Sequence, residues 1–491
     1  MTVLAIDAGT TGVTALVVAE DGTVRSRGYE EFSQFFPQPG WVEHEPEAIW
    51  QAVLSASRQA IGATADRATC VGVANQRETA VLWDRGSLAA PRRAIVWQDR
   101  RTAAMCSRLR DDGHEQAVTA VTGLRLDPYF TATKLAWLAE HDKAWSGVSA
   151  GATAVGTVDS YVVARLTAGA RHVTDPSNAS RTLLYDTFAG GWSEPMCELF
   201  GVPITALPQV VPSSGEVGRT DPKAFLGLDL PVAGLAGDQQ AALFGQACFA
   251  DGDSKCTYGT GSFVLVNTGT TPVRSEHGLL TTVAWDLGAG PTFALEGSIF
   301  VTGAAVQWLR DGLGIIDRAP EVEGLAGTVA DSGGVVFVPA LTGLGAPDWD
   351  PQARGAILGI TRGTTRAHLA RATLEAIAFE VRDVVDVMTG DAGLAVPELA
   401  VDGGASTNDL LCQLQADQLG VPVRRPAVTE TTALGAAFLA GLATGVWTSI
   451  EEIAVTSRLD RRFTPTAGAR SDGRHTRWRA AVERSRRWAE D

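Results

Sequence analysis

At 491 residues the chain is too long for one ordinary hydrophobic core, so two or three domains are expected. With 45% apolar and 20% charged residues and no low-complexity tract, it reads as a globular protein rather than a fibrous or disordered one. The net charge of −15 speaks against general nucleic-acid binding, and no window offers the ~18 uninterrupted apolar residues of a membrane span. The six cysteines (Cys70, Cys106, Cys197, Cys248, Cys256, Cys412) are scattered without a CxxC pair. That argues against a zinc site or a disulfide framework and fits a reducing compartment; the expected location is cytoplasmic.

Val3 to Ile6 is a buried-strand run that starts too soon after Met1, and without a basic lead, to be a signal peptide. It ends at Asp7, followed by Ala8-Gly9-Thr10-Thr11-Gly12, a second β run from Val13 to Val18, an Asp21-Gly22 turn and a third strand from Thr23 to Tyr29. A Gly-Thr hairpin tip allows close backbone approach and offers hydroxyl and N–H donors, which suit a phosphate. Asp7 beside it suits Mg²⁺ held through water. An ordinary hairpin explains the stretch equally well when it is taken alone. Pro46 opens a helix. The strand Val71 to Ala74 ends at Asn75-Gln76-Arg77-Glu78, and Ala94 to Trp97 ends at Gln98-Asp99-Arg100-Arg101. Charged clusters at apolar strand ends suit hydroxyl binding, although either one alone reads as a surface ion pair. Leu126 to Phe130 is a turn carrying Tyr129, and the polar loop Thr174 to Arg181 reads as structural.

The central stretch is Leu230 to Gln246, LPVAGLAGDQQAALFGQ. It runs from an apolar strand through Gly234 and Gly237 into Asp238-Gln239-Gln240 and a helix. A carboxylate there lies at the rim where α/β sheets bind ligands, or else merely caps the helix. Beyond it, Tyr258-Gly259-Thr260-Gly261 between β runs echoes the first hairpin about 250 residues earlier, which suggests a duplicated domain whose hairpins face each other. Phe300 to Leu309 reads as a helix holding Gly303 and Gln307. The segment Leu344 to Thr364 reads as a ligand-covering or packed loop. A long helix capped by Thr364 or Thr365 follows, with a core stripe from Leu369 to Met388. Asp402-Gly403-Gly404 through Asn408, at a strand end before a helix, suits a nucleotide or a tight connection. Thr432 to Ala443 is a small-residue helix fit for close packing. In the arginine-rich tail, Trp478, Ala481, Ser485 and Trp488 share one face of a terminal helix expected to pack on the body.

With no GxxxxGK[ST] loop and no protein-kinase signature, these pieces fit an α/β fold of two actin-like (ribonuclease H-like) ATPase domains with a cleft between them. Two classes remain: a small-molecule kinase, or an ATP-driven filament or chaperone relative. Arg77, Glu78, Trp97, Tyr129 and Asp238 favour the kinase, since they supply an apolar floor, hydroxyl ligands and a base.

From Val3 to about Pro465 the chain resembles the FGGY carbohydrate kinases. The resemblance rests on NQRET (Asn75–Thr79), IVWQDRRTA (Ile95–Ala103), LDPYF (Leu126–Phe130), AGDQQAALFGQ (Ala236–Gln246), YGTGSF (Tyr258–Phe263), GLGAPDWDPQARG (Gly343–Gly355) and DGGASTN (Asp402–Asn408). It implies ATP-dependent phosphorylation of glycerol to sn-glycerol 3-phosphate. Phosphorylation of another polyol or ketose, such as erythritol or xylulose, is the alternative, and a catalytically idle ATP-binding sensor is a third reading. It implies that Arg77, Glu78, Tyr129 and Asp238 bind the hydroxyls beside Gln239, with Trp97 and Phe263 as the apolar wall and Asp238 catalytic. Thr10, Thr11, Gly259, Thr260, Gly303, Gln307, Gly404 and Asn408 are then the ATP site, and Asp7 and Asp238 the Mg²⁺ side. It further implies domains at 1–246 and 247–465, a helical tail at 466–491, and a homo-oligomer, dimer or tetramer. Two positions depart from the pattern. Thr14 replaces an arginine common after the first hairpin among members acting on glycerol, which predicts weaker catalysis or a shifted substrate. Leu226 to Pro231 lacks the glycine- and arginine-containing bisphosphate effector loop and any histidine for phosphotransferase activation, so neither control is expected.

Overall fold

The computed structural model describes residues 1–468, 470 and 472–489. Its two main sheets repeat one topology. In the first, Val24–Glu31, Gly12–Ala19, Thr2–Ala8, Ala68–Asn75 and Pro231–Gly237 lie side by side, in the order 3-2-1-4-5 along the chain. The first three strands form an antiparallel meander, and strands 1, 4 and 5 run parallel. In the second, Pro291–Ile299, Ser262–Gly269, Ser254–Tyr258, Leu399–Asp402 and Val423–Pro426 take the same order and polarity. Added edge strands differ: Ser214–Arg219 closes the first sheet, while Leu280–Asp286 and Leu459–Phe463 flank the second. The hairpin echo read from the sequence is thus one part of a repeated five-stranded unit.

Val3, Leu4, Ala5 and Ile6 are fully buried, as expected of a strand covered on both faces. Helix Pro46–Gly62, with its proline at the first turn, packs so closely that a Cβ on Gly28 would stand 2.0 Å from the Ala56 carbonyl oxygen. The other face is covered by Thr431–Thr444, the small-residue helix, although it follows the second sheet in the chain. Cβ atoms on Gly72 and Gly435 would meet the carbonyl oxygens of Ala436 at 2.0 Å and Ala241 at 1.8 Å. This helix therefore joins the two halves, backbone against backbone, next to the Asp238–Gly245 helix.

The long helix is Arg366–Ala392, opened by a Thr365–His368 capping box, and its stripe is buried from Leu374 to Met388, with Leu369 half-buried. The first half of the 344–364 segment is packed, with Leu344, Ala346 and Ala353 buried and the Trp349 indole donating to the Gly278 carbonyl at 2.5 Å, while residues 359–363 are exposed. Two expectations shift. Ala94 to Trp97 keeps only Ala94–Ile95 as strand. The terminal helix ends at Ser485, so Trp478, Ala481 and Ser485 are buried while Trp488, beyond the helix, is 73% exposed. Among the described residues no helix is long and apolar enough to cross a membrane, and all six cysteines are free and buried.

Candidate active site

Two strand ends and one strand interior converge on one charged cluster. Strand Ala68–Asn75 delivers Arg77 and Glu78, strand Pro231–Gly237 delivers Asp238, and Glu296 comes from the third strand of the second sheet. Asp238 does not cap its helix: Gly237 holds that position and Asp238 is the first helical residue. Its side chain is 27% exposed, and Oδ1 lies 3.2 Å from Arg77 Nε. Burial raises its proton affinity, while Arg77 and Lys255 oppose that shift.

Glu78 adopts φ of +60°, a left-handed conformation that a non-glycine residue holds only when its surroundings enforce it. The tight turn is closed by the Thr79 amide donating to the Arg77 carbonyl at 2.8 Å. The turn aims both charged side chains inward, where they are 2% and 1% exposed. Arg77 donates to Glu296 through both terminal nitrogens, at 2.5 and 3.0 Å, and to the Tyr129 hydroxyl at 3.2 Å. Arg181 donates to Glu78 at 2.7 Å and to Glu296 at 3.0 Å. Buried charges persist only when paired and hydrogen-bonded, and two arginines alternating with two glutamates meet that condition. Burial works to raise the Glu296 carboxyl, but Arg181 and Arg77 outweigh it and hold it down at about 2. Glu78, in the same surroundings, is raised by burial.

Aromatic rings wall the cluster. Trp97 stands edge-on to Tyr129 at 5.6 Å and to Phe263 at 6.3 Å, and the Arg77 guanidinium lies 5.8 Å from the Phe263 ring centre. The Trp97 indole N–H donates to Thr10 Oγ1 at 2.9 Å, linking this wall to the first Gly-Thr hairpin. The Tyr129 turn is pinned from below by buried Lys134, whose Nζ donates to the carbonyls of Pro128, Tyr129 and Phe130 at 2.9, 2.5 and 3.2 Å. Burial lowers this lysine to about 8.

The second Gly-Thr hairpin is exposed at Gly259 and Thr260. Helix Gly303–Asp311 starts directly on it, with Thr302 N–H donating to Thr260 O at 2.8 Å and Gly303 N–H to Gly259 O at 3.0 Å. Gln307 is exposed on that helix and Gly404 is exposed at the strand-end turn. Gly403 takes φ of +82°, and a Cβ there would stand 2.5 Å from Tyr258 O. Asn408 caps the Asp409–Leu419 helix, its side-chain oxygen accepting from Leu411 N–H at 2.9 Å. Thr11 is exposed at the tip of the first hairpin.

Asp7 faces this hairpin end. Its Oδ1 is enclosed and has no hydrogen-bond partner among the described residues. Burial, then the nearby Asp238, raises its carboxyl to about 7. An enclosed, unsatisfied carboxylate oxygen beside a second carboxylate is the donor set a hydrated divalent cation takes.

Several participants were not singled out in the sequence. Arg181 lies in the loop read as structural. Glu296 sits as one charge in the apolar β run FALEGSIF and Lys255 as one charge in the β run SKCTY, and that was the available signal. Lys255 is fully buried and donates to Gln239 Oε1 and, at 2.8 Å, to Thr257 Oγ1. The Gln239 side-chain oxygen is therefore engaged by Lys255. Gln240 accepts from Arg77 at 3.2 Å.

A duplicated 3-2-1-4-5 α/β fold, with Gly-Thr hairpins in both halves and a buried polar cluster between strand ends, defines a two-lobed kinase of the actin-like ATPase class. Profiles of the FGGY family of carbohydrate kinases match here, the N-terminal domain over residues 2–245 and the C-terminal domain over residues 254–444. The chain belongs to this family. It is 53% identical to a glycerol kinase of Bordetella parapertussis, across 99% of this chain and 97% of that one, and 54% identical to a glycerol kinase of Dechloromonas aromatica, across 99% and 98%. Among solved structures it resembles the Plasmodium falciparum glycerol kinase with ADP: TM-score 0.91, 33% identity, 99% of this chain and 98% of that one.

Proposed function

We propose that the protein transfers the γ-phosphoryl group of Mg-ATP to glycerol, giving ADP and sn-glycerol 3-phosphate. The observation that carries this reading is the buried Arg77–Glu78–Tyr129 cluster, with the partly exposed Asp238 beside it, against Trp97 and Phe263: polar groups suited to hydroxyls face rings suited to carbons. Relatives of more than 50% identity named glycerol kinase support the same substrate. A pocket built to hydrogen-bond each hydroxyl discriminates against analogues lacking one by roughly 10⁴–10⁵.

In this reading Arg77, Glu78 and Tyr129 hold the substrate hydroxyls. Asp238 orients the attacking oxygen and accepts its proton. A carboxylate suffices as the base because phosphoryl transfer passes through a loose transition state, in which positioning and charge neutralisation dominate. Thr10, Thr11, Gly259, Thr260, Gly303, Gln307, Gly404 and Asn408 line the nucleotide side. Asp7 and Asp238 fit Mg²⁺ mainly through water, and the ion, when bound, offsets phosphate charge. Closure of the lobes excludes water from the phosphoryl group. The reading assigns residues 1–246 to the substrate lobe, 247–465 to the nucleotide lobe and 466–491 to a tail. It includes a cytoplasmic location and a dimer or tetramer, which sedimentation velocity checks.

The test is a coupled ADP-release assay comparing glycerol with erythritol, xylitol, xylulose and dihydroxyacetone. Glycerol is expected to lead in kcat/KM by orders of magnitude. A longer polyol or a ketose in first place overturns the substrate assignment and leaves the chemistry standing.

A further inference from the structure

The outer edge of the second sheet carries a charge imbalance that the proposed reaction does not use. Strands Val423–Pro426 and Leu459–Phe463 run antiparallel, with Arg424 opposite Arg462 and Arg425 opposite Arg461. Like charges directly opposite repel, and the two faces of the ladder answer this differently. On one face Arg425 and Arg461 meet two carboxylates: Asp409 pairs with both, and Asp460 lies 2.7 Å from Arg425. On the other, Glu398 alone bridges the pair, 2.9 Å from Arg424 and 2.6 Å from Arg462. A third arginine, Arg458, joins that face, and the three surround a cavity of about 320 Å³. Glu398 is the one carboxylate lining it among the described residues. Asp21, from the turn of the opposite lobe, faces Arg458 only at longer range.

Three guanidiniums against one carboxylate leave the described lining of the cavity two positive charges in excess, in a chain whose net charge is −15. The volume lies in the range of small-molecule sites, roughly 300–1,000 Å³. Arg424 is held in place from behind, donating to the Gln246 carbonyl at 2.7 Å. Ala247, on the link between the lobes, lines the same cavity. A guanidinium fork matches phosphate oxygens two at a time, and Arg458 and Arg462 retain donors without a hydrogen-bond partner among the described residues. We propose that this cavity, on the outer edge of the second sheet beside the interlobe link, is a binding site for a small phosphate-bearing anion, seated on Arg458 and Arg462 with Arg424 as its floor.

The test is titration calorimetry on the full chain saturated with glycerol and a non-hydrolysable ATP analogue, at constant ionic strength in chloride. Inorganic phosphate and glycerol 2-phosphate are the two titrants. Binding is expected for at least one of them. Arg458→Gln/Arg462→Gln is expected to weaken it at least tenfold, and Glu398→Gln to tighten it several-fold by removing the competing carboxylate. Tighter binding of the ester identifies a phosphomonoester as the ligand, and equal binding identifies the free ion. Affinity unchanged in the double variant, or no heat beyond that of chloride, overturns the proposal. Arg458→Gln alone, at an exposed side chain, serves if the double variant unfolds at lower denaturant.

Discussion

The two ends of the cleft are built by opposite means. The end proposed for the substrate is made of side chains: Arg77, Glu78, Arg181 and Glu296 are nearly or wholly buried and locked to one another across lobes. The end proposed for the nucleotide is made largely of backbone: two Gly-Thr tips, a Gly-Gly turn and a helix start. A small neutral polyol offers only hydroxyls, so rigid, pre-paired charges must supply the specificity. A polyphosphate brings its own charge and needs little more than close approach and N–H donors. Mutations should therefore act differently at the two ends, through charge balance at one and through sterics at the other.

The largest effect is expected at Asp238→Asn. It keeps the shape and removes the proton acceptor, so kcat should fall by roughly 10²–10⁴ while ADP affinity, read by calorimetry, stays within a few-fold. Turnover within tenfold of the parent would falsify the role of Asp238 as base. Next is Glu296→Gln, which leaves Arg77 and Arg181 buried with one carboxylate fewer. Removing one partner of a buried pair costs about 3–5 kcal/mol, to be read in urea unfolding, and KM for glycerol should rise more than KM for ATP. A stable variant with unchanged glycerol KM would mean that the cluster serves neither folding nor the pocket.

At the nucleotide end the corresponding probe is steric. A Cβ on Gly303 would stand 2.7 Å from the Gly259 carbonyl oxygen, so Gly303→Ala must push the helix start off the hairpin. About a tenfold rise in KM for ATP, with glycerol binding intact, is the expected outcome. Equal loss of both substrates would erase the distinction between side-chain and backbone construction.

The contrast also explains what was legible from sequence. Backbone devices are local, so Thr10, Thr11, Gly259, Thr260 and Gly404 stand out as turn signals in their own short stretches. Arg77, Glu78 and Asp238 were visible because each ends an apolar strand with a charge. Their partners were not. Glu296 pairs with Arg77 across 219 residues, and only the repeated sheet topology brings them together. Arg181 sat in a loop whose polar residues also form ordinary turn bonds: the Asp175 carboxylate accepts from the Ser177 and Asn178 amides. Trp488 failed for a different reason. Helical periodicity predicts a face only while the helix continues, and this one stops at Ser485.

The smallest expected effect concerns Thr14, where the chain departs from the pattern it otherwise follows. In the first hairpin Thr14 lies directly opposite Asp7, so the two side chains share one face of the sheet at a spacing of roughly 4.5–5.5 Å between Cβ atoms. An arginine there would reach either Asp7 or a phosphate oxygen. Thr14→Arg is therefore expected to lower KM for ATP several-fold and to leave KM for glycerol unchanged, because Arg77 and Glu78 are held by Glu296 and Arg181 rather than by this hairpin. The opposing effect is that the new cation also pairs with Asp7, whose carboxyl at about 7 in the absence of a cation would then ionise more readily. If that pairing dominates, the variant needs more Mg²⁺ to reach half-maximal rate. A Mg²⁺ titration at fixed ATP separates these outcomes, and unchanged values for both ATP and Mg²⁺ would show that position 14 is silent at the nucleotide end.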